Sequence, residues 1–147
     1  MGTLLDTTVF IELERAIRRL PALSAMNEVS ERLEEQLGPA EEVGIAAITA
    51  SELLHGVHRA ATEHRARREA FVEGVLAAFP SFPFDLLAAR AHARLWAGLA
   101  SSGMDVGAHD RLVAATAITA GWRVGTANVR HFERIPGLEV MVINLTN

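Results

Sequence analysis

Three acidic residues stand beside apolar stretches, where an exposed charge is not the default. Asp6 follows the apolar residues 3–5, Glu52 lies one turn into a predicted helix, and Asp110 opens an apolar helix. Carboxylates brought together cannot all stay ionised unless a cation offsets their repulsion. The chain has no Cys and no evident cage of His residues, so the expected ion is Mg²⁺ or Mn²⁺, which prefer oxygen ligands. One or two such ions can activate water and stabilise the leaving oxygen of a phosphodiester.

An α/β domain has to position these carboxylates. Short apolar runs alternate with longer helical stretches, which is typical of a mostly parallel sheet flanked by helices. The predicted strands cover residues 3–5, 43–47, 81–84, 122–125 and 138–143, and the predicted helices cover residues 9–20, 26–37, 49–61, 63–78, 86–99, 110–120 and 129–134. Pro83 favours an edge position for the third strand. In such a sheet, ligands collect at the carboxyl ends of the strands, so the three carboxylates are expected to meet there.

The size and composition fit one compact unit. A chain of 147 residues, half of them hydrophobic and without repeats or a linker, predicts a single domain over residues 1–147. The beginning of the chain does not match a signal peptide, and no apolar run is long enough to span a membrane. We therefore expect a cytoplasmic protein with no membrane partner.

The basic residues exclude several classes of function. All 14 of them are Arg, and the absence of Lys excludes a P-loop and Schiff-base chemistry. It also argues against a phosphotransfer receiver, whose site normally uses a Lys beside the phosphorylated Asp. The formal net charge is −4, whereas a protein held on nucleic acid by its overall charge would be basic. RNA binding would therefore need a local basic patch or metal ions.

Each acidic residue also has a purely structural interpretation. Asp6 can cap the following helix, Thr49 and Glu52 match a capping box, and Asp110 can complement a helix dipole. For any one residue alone the structural interpretation is favoured, because helix caps are far commoner than metal sites. The spacing of all three along one chain favours a shared site.

Four segments, in order along the chain, resemble the motifs of PIN domains. They are residues 4–11 (LLDTTVFI), 48–57 (ITASELLHGV), 106–117 (VGAHDRLVAATA) and 125–132 (GTANVRHF), followed by residues 135–138 (IPGL). Each segment alone is a weak signal, but four in this order are specific, and they cover almost the whole chain. The length and the segments are most similar to VapC-type toxins of bacterial toxin–antitoxin pairs.

This resemblance implies a PIN-like three-layer α/β fold and an endoribonuclease that depends on Mg²⁺ or Mn²⁺. It also implies a homodimer, kept silent by a cognate antitoxin whose tail occupies the active-site groove. By position in the motifs, Asp6 and Asp110 become the main metal ligands, and Glu52 becomes the third carboxylate, acting on metal or water. Thr7 and Thr126 would orient ligands or phosphate through their hydroxyl groups.

The chain departs from the family pattern at Asn128, where the fourth acidic residue would stand. Some relatives carry Asn here, so activity remains compatible with the pattern, but a second metal would bind more weakly. We therefore expect one well-occupied metal site. Arg130 and His131 are candidates for phosphate contact, and His109 is a candidate for substrate contact. The alternative function is a catalytically weak or inactive PIN-fold module that binds RNA or protein.

Other residues have mainly structural interpretations. His55 and His58 have the spacing of zinc ligands on one helix, but no further ligands are evident nearby. The basic stretch of residues 59–68 is typical of a solvated helix face, with RNA or an acidic antitoxin segment as the functional alternative. Trp96 and Trp122 are predicted to lie in the core, because each stands in an apolar segment.

Overall fold

The structure is a computed structural model that describes residues 2–145, with the side chains of residues 22 and 23 left out of the description. Within this range the strands are Gly2–Leu5 (β1), Glu42–Ala46 (β2), Ser81–Phe82 (β3), Arg123–Thr126 (β4) and Val140–Val142 (β5). The helices are Thr7–Ile17 (α1), Ala22–Leu37 (α2), Ala47–Arg59 (α3), Thr62–Ala78 (α4), Leu86–Ser101 (α5) and Ala108–Ala120 (α6). A short 3-10 helix covers Val129–His131.

The five strands form one parallel sheet in the order β3-β2-β1-β4-β5. The central strand β1 pairs with β2 on one side and with β4 on the other. After β1 the chain builds β2 and β3 on one side, and it returns later to build β4 and β5 on the other. The carboxyl end of β1 therefore lies at a point where the strand order reverses, which is where parallel sheets leave a crevice for ligands.

Two hydrophobic clusters cover the two faces of the sheet. Neighbouring residues of a strand point to opposite faces, so Leu5 packs in one cluster and Leu4 in the other, both fully buried. The Leu5 cluster draws its buried side chains from α1, α2, α3 and α4, and the Leu4 cluster draws them mainly from α5 and α6. The predicted three-layer α/β fold with a parallel sheet is thus confirmed.

The ends of several elements differ from the sequence prediction. β3 stops at Phe82 instead of residue 84, because Pro83 has no N–H to donate to the sheet. It is an edge strand, the position that Pro83 favours. β5 is shorter than residues 138–143, since it pairs only with the last three residues of β4. Of the predicted helix over residues 129–134, only Val129–His131 form a single 3-10 turn, and Phe132 and Ile135 turn inward into the Leu4 cluster.

Gly125 permits the close approach of β4 to its neighbours. A Cβ atom added there would lie 2.7 Å from Ile143 Cδ1 and 2.8 Å from Thr3 Cγ2.

We predict that Gly125→Ala lowers the free energy of unfolding by about 1–3 kcal/mol, the usual cost of overpacking. Gly98→Ala in α5 is the control, since its Cβ would meet nothing within 4 Å. This change should raise stability by about 0.5–1 kcal/mol. Urea denaturation measures both, and equal shifts would contradict the packing argument.

Candidate active site

Asp6 lies at the carboxyl end of β1 and is buried, with 3% of its surface exposed. Its backbone N–H donates to the Gly125 carbonyl (3.0 Å), which continues the pairing of β1 with β4. Its carboxylate accepts hydrogen bonds from Thr8 Oγ1 (2.5 Å) and Thr126 Oγ1 (2.8 Å). Asp6 also occupies the N-cap position of α1, but its side chain makes no capping hydrogen bond. The two threonine hydroxyls therefore hold the carboxylate at the carboxyl end of β1.

Burial raises the pKa of Asp6 above its ordinary value. The hydrogen bonds from Thr8 and Thr126 lower the pKa, and the nearby negative charge of Asp110 raises it. Burial is the largest of these effects, so the ionised form of Asp6 is costly in the free protein. A bound cation would relieve this cost.

Thr8 was missed by the sequence analysis, although it bridges Asp6 and the end of β4. In addition to its bond to Asp6, Thr8 Oγ1 accepts from the Ala127 N–H (3.1 Å) and lies 3.2 Å from Thr126 Oγ1. The available signal was a second hydroxyl directly after Thr7. Two adjacent helical residues point in different directions, so Thr7 and Thr8 serve different carboxylates.

Glu52 lies in α3, and both of its carboxylate oxygens have partners. Thr7 Oγ1 donates to Oε1 (2.7 Å), and His109 Nδ1 lies 3.2 Å from Oε2. The capping box is excluded because α3 begins at Ala47, with no side-chain cap, so that Thr49 lies inside the helix. The Thr49 hydroxyl is buried without a hydrogen-bond partner among the described residues. Glu52 thus joins α1, α3 and the start of α6.

Asp110 lies in the first turn of α6 and is half-buried. Burial raises its pKa, the positive field of His131 lowers it, and the charge of Glu52 raises it. His131 Nδ1 lies 3.7 Å from Asp110 Oδ2. The charge of Glu52 raises the pKa of Asp110, and the charge of Asp110 raises the pKa of Asp6. The three carboxylates are therefore coupled electrostatically at the carboxyl edge of the sheet.

Asn128 and His131 extend the site on the 3-10 helix after β4. Asn128 Nδ2 lies 3.0 Å from His131 Nε2, and Asn128 Oδ1 accepts from the Arg130 N–H (3.3 Å). The Arg130 side chain is exposed and makes no ion pair with any residue that the structure describes.

The carboxylates fit a hard cation in part. Asp6 and Asp110 are oxygen donors that repel each other, as two ligands of one ion do. Glu52 is instead turned toward Thr7 and His109. Accordingly, in residues 2–145 no three His, Asp or Glu side chains converge closely enough to hold one ion. Asp6 and Asp110 are the pair that fits, and Glu52 stands beside them.

Two other sets of residues lie outside this site. His55 and His58 are both exposed, as expected for surface residues. Residues 59–68 lie on α3 and α4, and three of them, His64, Arg67 and Arg68, line a cavity of about 460 Å³ between α1, α2 and α4. None of the three carboxylates lines this cavity. The basic stretch therefore belongs to a separate surface.

The two tryptophans have different environments. Trp122 packs against Phe82, with ring centroids 4.6 Å apart, and covers Gly2, as expected for a core residue. The prediction for Trp96 was wrong, because 54% of its surface is exposed. Leu95 belongs to the buried side of α5. The next residue, Trp96, lies just outside that buried side.

The fold and the acidic crevice define a class of protein. Residues 3–138 match the PIN domain family, and the chain belongs to that family. In the described part of the chain, no helix is both long and apolar enough to cross a membrane.

Individual relatives narrow this class. Ribonuclease VapC1 of Rickettsia felis is 37% identical over 145 residues, covering 98% of each chain. The tRNA(fMet)-specific endonuclease VapC of Salmonella typhimurium is 35% identical over 96 residues, covering 65% of this chain and 71% of that protein. A crystal structure of VapBC-5 from Mycobacterium tuberculosis, a member of the VapBC family of toxin–antitoxin systems, shows 32% identity and a TM-score of 0.70, covering 97% of this chain and 98% of that one. The resemblance to VapC-type proteins is thereby confirmed.

The raised pKa of Asp6 predicts how stability depends on pH. The folded protein holds the Asp6 proton more tightly than the unfolded chain, whose carboxyl has the ordinary pKa of 3.8. In the absence of metal, the Asp6 contribution should therefore make the protein more stable as pH falls through the raised pKa toward 3.8, and this gain is lost as pH rises through the raised pKa. Asp6→Asn should be more stable than the wild type at pH 7 and should lose this dependence.

Thermal denaturation in EDTA between pH 4 and pH 7 measures the effect. Asp105→Asn, at an exposed loop position, is the matched control and should follow the wild type. An Asp6→Asn protein less stable than the wild type at pH 7 would show that the charge of Asp6 is not costly.

Proposed function

We propose that this protein is an endoribonuclease that hydrolyses RNA phosphodiester bonds with the aid of Mg²⁺ or Mn²⁺, as the toxin of a toxin–antitoxin pair. The observation that carries this proposal is the buried Asp6 beside Asp110, at the point where the strand order reverses. The ribonuclease and endonuclease names of the relatives support the reaction class. An RNA substrate also places its action in the cytoplasm.

Asp6 and Asp110 would hold the cation, each oriented by its neighbours. Thr8 and Thr126 fix the Asp6 carboxylate, and His131 lies against Asp110. When bound, a divalent cation would supply charge neutralisation and Lewis-acid stabilisation of the phosphodiester. The Thr126 hydroxyl reaches Asp6 across 120 residues of sequence, so the fold itself would preset the orientation of this carboxylate before RNA binds.

Glu52 would act on the attacking water. Hydrolysis forms a bond between the water oxygen and phosphorus and breaks the bond between phosphorus and the leaving oxygen. The proton released by the water would pass to Glu52, whose carboxylate is held by Thr7 and His109, and the leaving oxygen would take up a proton from solvent. Arg130 is exposed beside the site and would contact a backbone phosphate.

Removal of one carboxylate tests the assignment. We predict that Asp110→Asn, which keeps the size of the side chain and removes its charge, lowers RNA cleavage by about 100-fold or more. Asp105→Asn, five residues earlier in an exposed loop, should cleave at the wild-type rate. Cleavage of total cellular RNA by purified protein, with Mn²⁺, with Mg²⁺ and with EDTA, measures the effect. Unchanged cleavage by Asp110→Asn would refute the proposed site.

The second candidate is a PIN-fold module that binds RNA or protein and cleaves weakly or not at all. It is favoured by the neutral Asn128, which contacts His131 and adds no negative charge to the site. This candidate predicts RNA binding by the wild type without any metal-dependent product. The cleavage assay therefore separates the two functions.

Asn128 also limits the affinity for metal. We predict that Asn128→Asp tightens Mn²⁺ binding by about fivefold, the effect of ~1 kcal/mol of added attraction. Asn27→Asp adds the same charge at an exposed position in α2 and should leave the affinity unchanged. Isothermal titration calorimetry measures both variants, and the wild type should bind one ion per chain. Equal affinities of Asn128→Asp and the wild type would place Asn128 outside the metal site.

The cavity between α1, α2 and α4 is the candidate surface for the antitoxin. Its apolar lining includes Ile17, Met26 and Phe71, and its rim carries Arg18 and Arg67. An amphipathic segment with acidic residues matches both features. A second copy of the chain is the other partner that the family resemblance implies.

A further inference from the structure

An exposed row of rings lies on α5 and at its start. It consists of Phe84, His92 and Trp96, named here the aromatic row. The Phe84 and His92 ring centroids are 5.8 Å apart, and those of His92 and Trp96 are 5.6 Å apart. Phe84 is 40% exposed and Trp96 is 54% exposed. Each ring thus contacts the next, and the two outer rings leave much of their surface open while His92 between them is partly buried.

Arg111 completes the row at the Trp96 end. Its guanidinium carbon lies 5.1 Å from the centroid of the Trp96 ring, a cation–π contact. The side chain is held in place because Nη1 donates to the Val106 carbonyl (2.5 Å). In the part of the chain that the structure describes, no carboxylate pairs with this guanidinium. The aromatic row therefore ends in a fixed positive charge.

The charged end of the row is carried by the same turn of α6 as Asp110. Arg111 directly follows Asp110 in α6, so their Cα atoms are about 3.8 Å apart. Burial and the charge of Arg111 also lower the pKa of His92, which keeps its imidazole neutral near pH 7. A neutral ring can stack on another ring without a charge of its own.

We propose that the aromatic row is a stacking platform for the bases of single-stranded RNA next to the cleaved bond. This inference rests on the proposed ribonuclease function, and it names how the substrate is held. Unpaired RNA bases stack on aromatic side chains and on Arg guanidinium planes. Such stacking is tolerant of sequence, because every base has a π-face. The row and Arg111 provide both kinds of partner beside Asp110, whereas the protein as a whole is acidic.

Fluorescence tests contact between Trp96 and bases. The chain has two Trp residues, so Trp122→Phe leaves Trp96 as the only one. In a protein that also carries Asp110→Asn to prevent cleavage, a short oligoadenylate should quench the Trp96 emission in a saturable manner. An abasic oligonucleotide of equal length has the same phosphates and should leave the emission unchanged. Equal quenching by both, or by neither, would overturn stacking.

Kinetics test the effect on cleavage. Trp96→Ala should raise KM by about tenfold, because stacking of one base contributes ~1–3 kcal/mol, and should change kcat little. Trp96→Phe keeps a ring and should restore most of the loss. Leu87→Ala is the control, since Leu87 is also exposed (65%) on the same helix but lies outside the row. An unchanged KM for Trp96→Ala would contradict the proposal.

The alternative to RNA as the partner of this exposed aromatic row is a second copy of the chain. Light scattering of the wild type and of Trp96→Ala separates the two occupants. If the variant is smaller than the wild type, the row is a contact between copies and the proposal is overturned. If the wild type cleaves no RNA, the proposed function fails, but the comparison of oligoadenylate with abasic oligonucleotide still decides whether Trp96 stacks on bases.

Discussion

The burial of the Asp6 carboxylate near a second carboxylate, Asp110, is the constraint on which the site depends. Asp6 is nearly inaccessible to water, yet the fold places it close enough to Asp110 for each charge to oppose the other. A chain selected for stability alone would replace one of these residues by a neutral one, since an unpaired buried charge is costly. The hydroxyls of Thr8 and Thr126 offset only part of this cost, and a bound cation would lower it further.

The fold meets this constraint through the position of β1. A central strand ends with a strand on each side, so hydroxyl groups reach Asp6 both from α1 and from the end of β4. The hydrogen bond from Thr126 connects parts of the chain that are 120 residues apart. The carboxylate therefore stays in place without a ligand, and little has to rearrange when a cation binds.

Local patterns predicted the strands and the acidic edge, but not the contacts among side chains. Asp6 was found because apolar residues precede it and a helix follows it, which are properties of neighbouring residues. The orientation of Glu52 was not predictable, since Thr7 and His109 reach it from other helices. The prediction for Trp96 was wrong for the same reason, because it used only the apolar neighbours of Trp96 in the sequence. In the structure α5 packs against α6, and Trp96 lies next to the buried residues of α5 without being one of them. The periodicity of apolar residues along a helix predicts which helix face a residue lies on. How deeply that face is buried depends on the helix that packs against it.

Helix α1 joins the candidate active site to the cavity on the far side of the molecule. Its first residues, Thr7 and Thr8, hold Glu52 and Asp6, and its last residue, Ile17, lines the cavity. A helix of 11 residues is about 16 Å long. A partner seated only in the cavity therefore cannot touch the carboxylates. To silence the site by contact, it has to send a further segment along α1, and a basic group at the end of that segment would meet the charge that Asp6 and Asp110 present.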